Sequence, residues 1–348
     1  MSIAGRSWLS RADTERRLAR AEATIADRRT DRDERMAAAV QRLFALWLLG
    51  RFDECWSAFH DLPRDHEHVS WLVEPLHNAW TGTLLGDRSL TVHATRGGLG
   101  DLIQMARFIA LLPRGGGLVV ETRPALLRLM QTSFDPAIVW TSRIDAAPPG
   151  DVDTQMDFLP FLLGVDLATI GGAVPYLRPD PVDVERWATR LASWPRPWIG
   201  VCWTNQEDGS VGDPRCLALE SLAPLVRVVP ATYISLIERP PPEITNSVDG
   251  RPILDVAEPL GDFADVAALI ANLDHVVTID TAVAHVAGGL GQPTHLLLPH
   301  EPFPNWLLGF VPGGTAWYPT MRTVRQTSPG EWGDVVATVV AELSDRLG

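Results

Sequence analysis

Apolar positions recur at helical spacing early in the chain and at strand spacing later. Over residues 36–60, Val40, Leu43, Phe44, Trp47 and Leu48 mark one segment and Cys55, Trp56 and Phe59 the next. Gly50 stands between them as a helix-end signal, so the pattern predicts an αα-hairpin. Its spacing matches a single tetratricopeptide-type unit. Residues 1–35 are crowded with Arg, Asp, Glu and Ala and read as a solvated helix or a frayed tail.

From residue 89 strands and helices alternate. Residues 90–94, 118–121 and 138–140 read as strands, and Asp101 to Leu112 and Ala125 to Gln131 as helices. This β-α-β-α-β order predicts a parallel sheet with right-handed crossovers. Residues 145–160 and 171–182 are rich in Pro, Gly and Asp, and Gly171 to Pro181 reads as a linker. Alternation then resumes. Strands are expected at 198–203, 232–237, 276–279 and finally 295–298; helices at 220–226, 263–273 and 282–290, with Gly291 as a cap. Val335 to Leu347 reads as a closing amphipathic helix. The expected fold class is α/β: two facing Rossmann-like domains with parallel sheets and a short α-helical N-terminal extension. The expected boundaries are 1–80 for the extension, 81–180 for the first domain and 181–348 for the second.

Composition narrows the function. With 348 residues, 46% of them apolar, the chain has room for two ordinary domains. A formal charge of −13 argues against nucleic acid as the main partner. All 30 basic side chains are arginine, so a charged phosphate contact must use an arginine fork. The three cysteines, Cys55, Cys202 and Cys216, form no C-x-x-C, so neither a disulfide framework nor a zinc site is expected. No apolar run is long enough to span a membrane, and the N-terminus lacks a signal-peptide pattern, so a cytoplasmic protein is expected.

Four segments carry candidate chemistry. Gly97-Gly98-Leu99-Gly100-Asp101 lies between a strand and a helix, where glycines admit a ligand and helix-start amides favour an anion. Ile103 stands where the dinucleotide fingerprint needs its third glycine, so a nicotinamide site is not expected. Asp101 reads equally as a helix-capping carboxylate. Asp280-Thr281-Ala282, at the end of a strand and the start of a helix, fits a diphosphate, or simply a cap pair. His285, one turn on, reads as a phosphate contact or as a buried ring bonded to a backbone carbonyl. Trp203-Thr204-Asn205 ends another strand, and Arg215 follows a polar loop as a diphosphate clamp or a surface charge. Trp306, Trp317 and Tyr318 offer faces for sugar stacking or for core packing.

Together these segments resemble the bacterial heptosyltransferase-like proteins, glycosyltransferase family nine, and within it the subgroup that follows tetratricopeptide repeats. The resemblance runs in order over roughly 75–345: Trp80-Thr81-Gly82; Gly98-Leu99-Gly100-Asp101 with Gln104 and Arg107; Val174 to Arg178; Gly200 to Trp203; Leu260 to Asp265; Asp280 to His285; and Trp317 to Arg322. It implies the GT-B fold, no metal or other cofactor, and a nucleotide-diphosphate sugar as donor. It implies Asp101 as base or charge partner at the acceptor hydroxyl. Donor contacts fall around Thr204, Asn205, Arg215, Asp280, Thr281, Ala282 and His285; where the subgroup often has Ser-Leu-Gln-Lys, this chain departs with Ser235-Leu236-Ile237-Glu238, and Glu238 is instead a candidate partner for a ribose hydroxyl. Gly98, Gly100, Gln104 and Arg107 fall on the acceptor side. The chain departs from the family at Arg215-Cys216-Leu217-Ala218, where an apolar residue and proline usually follow the cation. The acceptor (glycan, lipid-linked sugar, peptide or small molecule), the donor base and the oligomeric state stay open. A non-catalytic GT-B-like module docking a partner through its N-terminal helices is the alternative. A GT-B-like epimerase is a third reading.

Overall fold

The structure, a computed structural model, describes residues 10–62, 78–94, 97–143, 150–205, 213–237, 247–256 and 260–347. It opens with three helices, α1 (Arg11–Ala26), α2 (Arg32–Leu48) and α3 (Phe52–His60). Ser10 and Asp31 start the first two by accepting the backbone N–H of Asp13 and Glu34. Gly50 turns the chain between α2 and α3 at φ +70°, a left-handed conformation that glycine takes without strain. The first helix is no frayed tail: it buries Thr14, Leu18 and Ala21.

The first sheet contains β1 (Ser89–His93), β2 (Gly117–Glu121), β3 (Val139–Thr141) and β4 (Val152–Gln155), all parallel, in the order β3-β2-β1-β4. The second contains β5 (Trp198–Cys202), β6 (Thr232–Ser235), β7 (Ser247–Val248), β8 (Arg251–Leu254), β9 (His275–Ile279), β10 (Thr294–Leu298) and β11 (Met321–Arg325). Its order is β11-β10-β9-β5-β6-β8-β7, and only the β7–β8 pair is antiparallel. The central strands β5, β9 and β10 are buried at every position, as strands covered on both faces must be. The helices around the sheets are α4 (Leu99–Ala106), α5 (Leu127–Ser133), α6 (Leu159–Leu162), α7 (Leu167–Gly172), α8 (Pro181–Leu191), α9 (Ala223–Val228), α10 (Phe263–Ile270), α11 (Ala282–Leu290) and α12 (Gly333–Leu347). The architecture is the expected α/β arrangement of two parallel-sheet layers with a helical N-terminal region.

Several elements differ from the expectation. The loop-like stretch 145–160 holds β4, whose polar Val-Asp-Thr-Gln sequence is fixed by pairing with β1 rather than by hydrophobicity. The linker is shorter than expected, because α7 runs to Gly172 and is started by Asp166 accepting the Thr169 N–H. Pro181 begins α8 at the position where a missing N–H is harmless. Strand β10 is not the last: β11 pairs with it at the sheet edge.

Two contact systems join these parts. Trp47 lies 5.1 Å from Phe52, 5.7 Å from Trp56 and 6.0 Å from both Phe161 and Trp317, while Phe59 stacks on Phe161 at 4.4 Å. Each such pair adds about 0.5–1.5 kcal/mol beyond burial. The apolar face of the N-terminal helices is therefore spent on the body of the molecule. On another side, Arg128 of α5 forks onto Asp262 at the start of α10 and meets Asp183 of α8 and Asp265. Arg186 closes the same network on Asp183 and Asp265. No described helix is long and apolar enough to cross a membrane.

Candidate functional site

In the second sheet the chain moves outward from β5 through β6 to β8, then returns to build β9, β10 and β11 on the other side. The reversal falls between β5 and β9, the crevice where open parallel sheets bind ligands. Thr204 and Asn205 leave β5 there, and Asp280 and Thr281 leave β9. Thr281 Oγ1 stands 3.8 Å from Cys202 Sγ. Thr281 is the extended residue before α11, and no side chain caps that helix. The half-buried start at Ala282 thus offers amide donors and the positive dipole end to an anion.

Charge is arranged around that start. Arg215 forks onto Asp213, with Nη2 2.7 Å from Oδ2, and its Nη1 reaches the Asp280 carbonyl at 3.4 Å. The hydrogen bonds from Arg215 hold the Asp213 carboxyl down at about 2. Asn205 Nδ2 donates to the same carboxylate at 2.6 Å and its Oδ1 accepts from Cys216, while Thr204 Oγ1 donates to Cys216 Sγ at 3.6 Å. Asp280 is 8% exposed. Burial pushes its carboxyl up, opposed by a hydrogen bond from Trp306 and the charge of Arg215. Thr204, Asn205, Arg215, Asp280, Thr281 and Ala282 therefore share one sheet edge. Glu238 lies outside the described residues.

Helix α4 packs against α11. Asp101 Oδ2 accepts the Gly98 N–H at 2.8 Å, so the carboxylate caps its own helix. Burial pushes its carboxyl up. A Cβ on Gly97 would stand 2.2 Å from Asp101 Oδ2, and one on Gly100 2.7 Å from His285 Cδ2. Those two glycines are thus required by the carboxylate and by the helix crossing.

Three expected contacts are placed elsewhere than expected. Gln104 is 1% exposed and accepts from Asn305 Nδ2 at 2.7 Å. Arg107 is fully buried, donating to the carbonyls of Gln104, Ile170 and Trp317 among the rings of Tyr176, Trp317 and Tyr318. Neither side chain is open to an acceptor; Arg107 instead ties α4 to the segment after β10. His285 is buried, bonded through Nδ1 to the Tyr318 hydroxyl at 2.8 Å and stacked on Trp306. Its partner is that hydroxyl, not a backbone carbonyl. Burial and the nearby charge of Arg107 push its pKa down to about 3, so the ring is neutral behind the helix start. Trp306, Trp317 and Tyr318 are core side chains.

Other residues went unmarked by sequence. Asn305 accepts from Trp47 Nε1 at 3.3 Å, donates to Gln104, and takes the Trp317 indole on its carbonyl. It joins the N-terminal helices to α4 and adjoins Trp306, the Asp280 partner. In the smaller sheet the reversal falls between β1 and β4, where His93 Nε2 meets Asp153 Oδ2 at 3.3 Å. Among the described residues no group of three or more His, Cys, Asp or Glu is arranged to hold a metal ion.

No protein-family model matches the sequence. The chain is 24% identical over 333 residues to Protein FlbA of Caulobacter vibrioides, covering 87% of this chain and 54% of that one. It thus spans about half the length of the curated relative it matches. Among solved structures it is similar to the glycosyl transferase family 9 protein of Veillonella parvula, with TM-score 0.51, 12% identity, and coverage of 78% of this chain and 99% of that one. It is also similar to the ADP-heptose LPS heptosyltransferase II of E. coli, at TM-score 0.47 and 13% identity over 75% and 100% of the two chains. The first likeness carries the GT-B-like fold to this chain.

Proposed function

We propose that this chain is a glycosyltransferase that moves a sugar from a nucleotide-diphosphate donor to an acceptor hydroxyl without a metal. The observation that carries the proposal is the uncapped start of α11 at the crevice of the larger sheet, with Arg215 beside it. The ordered family-nine motifs and the fold support the same reading. The second sheet serves as the donor half and the first as the acceptor half. The acceptor oxygen attacks the anomeric carbon, and the bond to the diphosphate oxygen breaks. The departing charge is met by the α11 amides and by Arg215, which exchanges its Asp213 partner for phosphate. Asp101 stands on the acceptor side as base or charge partner. The alternative, a module docking through its N-terminal helices, loses its natural surface, because Trp47, Trp56 and Phe59 are engaged internally.

The test is turnover of the full chain on ADP-, GDP-, UDP-, CDP- and TDP-sugars, read as nucleoside diphosphate release and by product analysis. Release with transfer of the sugar, unchanged by a chelator, is the expected result. Sugar isomerisation without transfer indicates an epimerase, and no turnover with any donor contradicts the enzyme reading.

A further inference from the structure

Arg107 is a buried cation without a counter-charge. It is 0% exposed, and among the described residues it pairs with no carboxylate. Its N–H groups go to the carbonyls of Gln104, Ile170 and Trp317, and its plane lies among the rings of Tyr176, Trp317 and Tyr318. Burying an ion in this way is unfavourable, and an apolar side chain would fill the same space without that cost. The charge acts on what surrounds it. The guanidinium carbon is 4.7 Å from the Tyr318 ring centre, and the Tyr318 hydroxyl lies 2.8 Å from His285 Nδ1, in the first turn of α11. The cation thus stands one hydroxyl away from a ring of the donor half.

The hydrogen in that contact has a preferred place. A hydroxyl beside a cation gives its hydrogen more readily and accepts one less readily, because the positive charge stabilises electron density left on the oxygen. Tyr176, the other hydroxyl near Arg107, gives its own hydrogen to the Ile103 carbonyl at 2.9 Å. Tyr318 therefore donates to His285 Nδ1, and a neutral ring whose Nδ1 accepts carries its proton on Nε2. Burial and the Arg107 charge hold the ring neutral, at a pKa of about 3. The ring is also fixed in place. Trp306 stacks on it at 4.7 Å and bonds the Asp280 carboxyl, and a Cβ on Gly100 would stand 3.1 Å from Nε2. That edge faces the meeting of the first turns of α4 and α11, and among the described residues no hydrogen bond is made at Nε2.

We propose that Arg107 and Tyr318 are positioning residues for sugar transfer: through the Tyr318 hydroxyl they fix the His285 proton on Nε2, where it joins the α11 amides as a donor to the departing diphosphate. This rests on the glycosyltransferase reading and leaves Asp101 its place on the acceptor side. His285 gives up no proton in the step. The acceptor oxygen bonds the anomeric carbon and its proton goes to the acceptor-side base. The bond to the diphosphate oxygen breaks with its electron pair, so the diphosphate leaves as the anion. A donor already aimed at that charge needs no reorganisation as the charge develops.

The first experiment needs no substrate. In long-range proton–nitrogen NMR spectra of the full chain, with the signals assigned by their absence in His285→Asn, the ring is expected to carry its proton on Nε2 and to accept a hydrogen bond at Nδ1. The Nδ1 resonance is expected to move to that of an unbonded nitrogen in Tyr318→Phe, and part of the way in Arg107→Met. Tyr318→Phe keeps the ring and decides the matter if Arg107→Met does not fold. A proton on Nδ1, or an Nδ1 resonance unmoved in Tyr318→Phe or in folded Arg107→Met, overturns the proposal and leaves the glycosyltransferase reading intact. The second experiment reads affinity for whichever of ADP, GDP, UDP, CDP and TDP binds the wild-type chain. Tyr318→Phe is expected to weaken it about tenfold, the scale of one hydrogen bond to a charged group. In a His285→Asn background, which has no ring N–H to position, the same substitution is expected to change it less than about twofold. Equal losses in the two backgrounds show that Tyr318 acts on packing alone and overturn the proposal. No binding of any of the five by the wild-type chain overturns the donor-site reading and this role with it.

Discussion

Gly100 lies against His285: a Cβ there would stand 2.7 Å from the ring Cδ2 and 3.1 Å from Nε2. The contact is between the first turns of α4 and α11, the helices that carry Asp101 and follow Asp280. His285 cannot yield, because Tyr318 holds one side of its ring and Trp306 covers a face. Gly100→Ala is therefore expected to destabilise the chain by about 1–3 kcal/mol through overpacking. Chemical denaturation compared with wild type checks it.

Asp101→Asn separates capping from charge. An asparagine oxygen still accepts the Gly98 N–H, so the start of α4 is kept, whereas Asp101→Ala loses the cap and about 1 kcal/mol. If the carboxylate serves the acceptor hydroxyl, turnover falls at least about tenfold in both variants, with ADP affinity retained. Parallel melting and turnover measurements distinguish the two effects.

Acid should unfold the chain earlier than its carboxylates alone predict. His275 and His285 are held neutral by burial, with pKa values pushed from 6.5 to about 3. Between those values the unfolded chain binds more protons than the folded one. The stabilisation is therefore full above about pH 6.5 and is lost as pH falls toward 3, at up to ~1.4 kcal/mol per pH unit for each histidine. Denaturation curves between pH 4 and 8 read the slope directly.

Arg128→Ala leaves Asp183, Asp262 and Asp265 close together, with Arg186 still paired to Asp183 and Asp265. The expected result is a loss of about 1–3 kcal/mol. The difference from wild type should shrink in 1 M salt, where exposed charges are screened within about 3 Å. Melting in low and high salt checks both points.

Much of this was legible because local pattern and tertiary role agree. The buried strands β5, β9 and β10 announce themselves as apolar runs, and Asp280-Thr281 sits where such a strand hands over to a helix. Strand β11 was missed because Met321-Arg322-Thr323-Val324-Arg325 is a half-exposed edge strand with charged outward positions. The burial of Arg107 was unreadable for a different reason: two of its three carbonyl partners lie 63 and 210 residues away in sequence. Asn305 is likewise defined by partners 201 and 258 residues distant. The glycines near Asp101 were visible, but their cause was not. They admit a carboxylate and a histidine ring, contacts that only the folded chain brings together.

The most direct measurement is thermal unfolding of the full chain with ADP, GDP, UDP, CDP and TDP, beside the Arg215→Ala variant. A nucleotide that binds the folded chain raises the melting temperature by mass action, by about 2.7 kcal/mol of stability at a hundredfold excess over Kd. The expected result is a rise with at least one of the five in wild type and a much smaller one in Arg215→Ala, each read against the same chain without nucleotide, because losing Arg215 leaves the largely buried Asp213 carboxylate without its cation and lowers the starting stability. No shift with any of the five would contradict a diphosphate site at the start of α11.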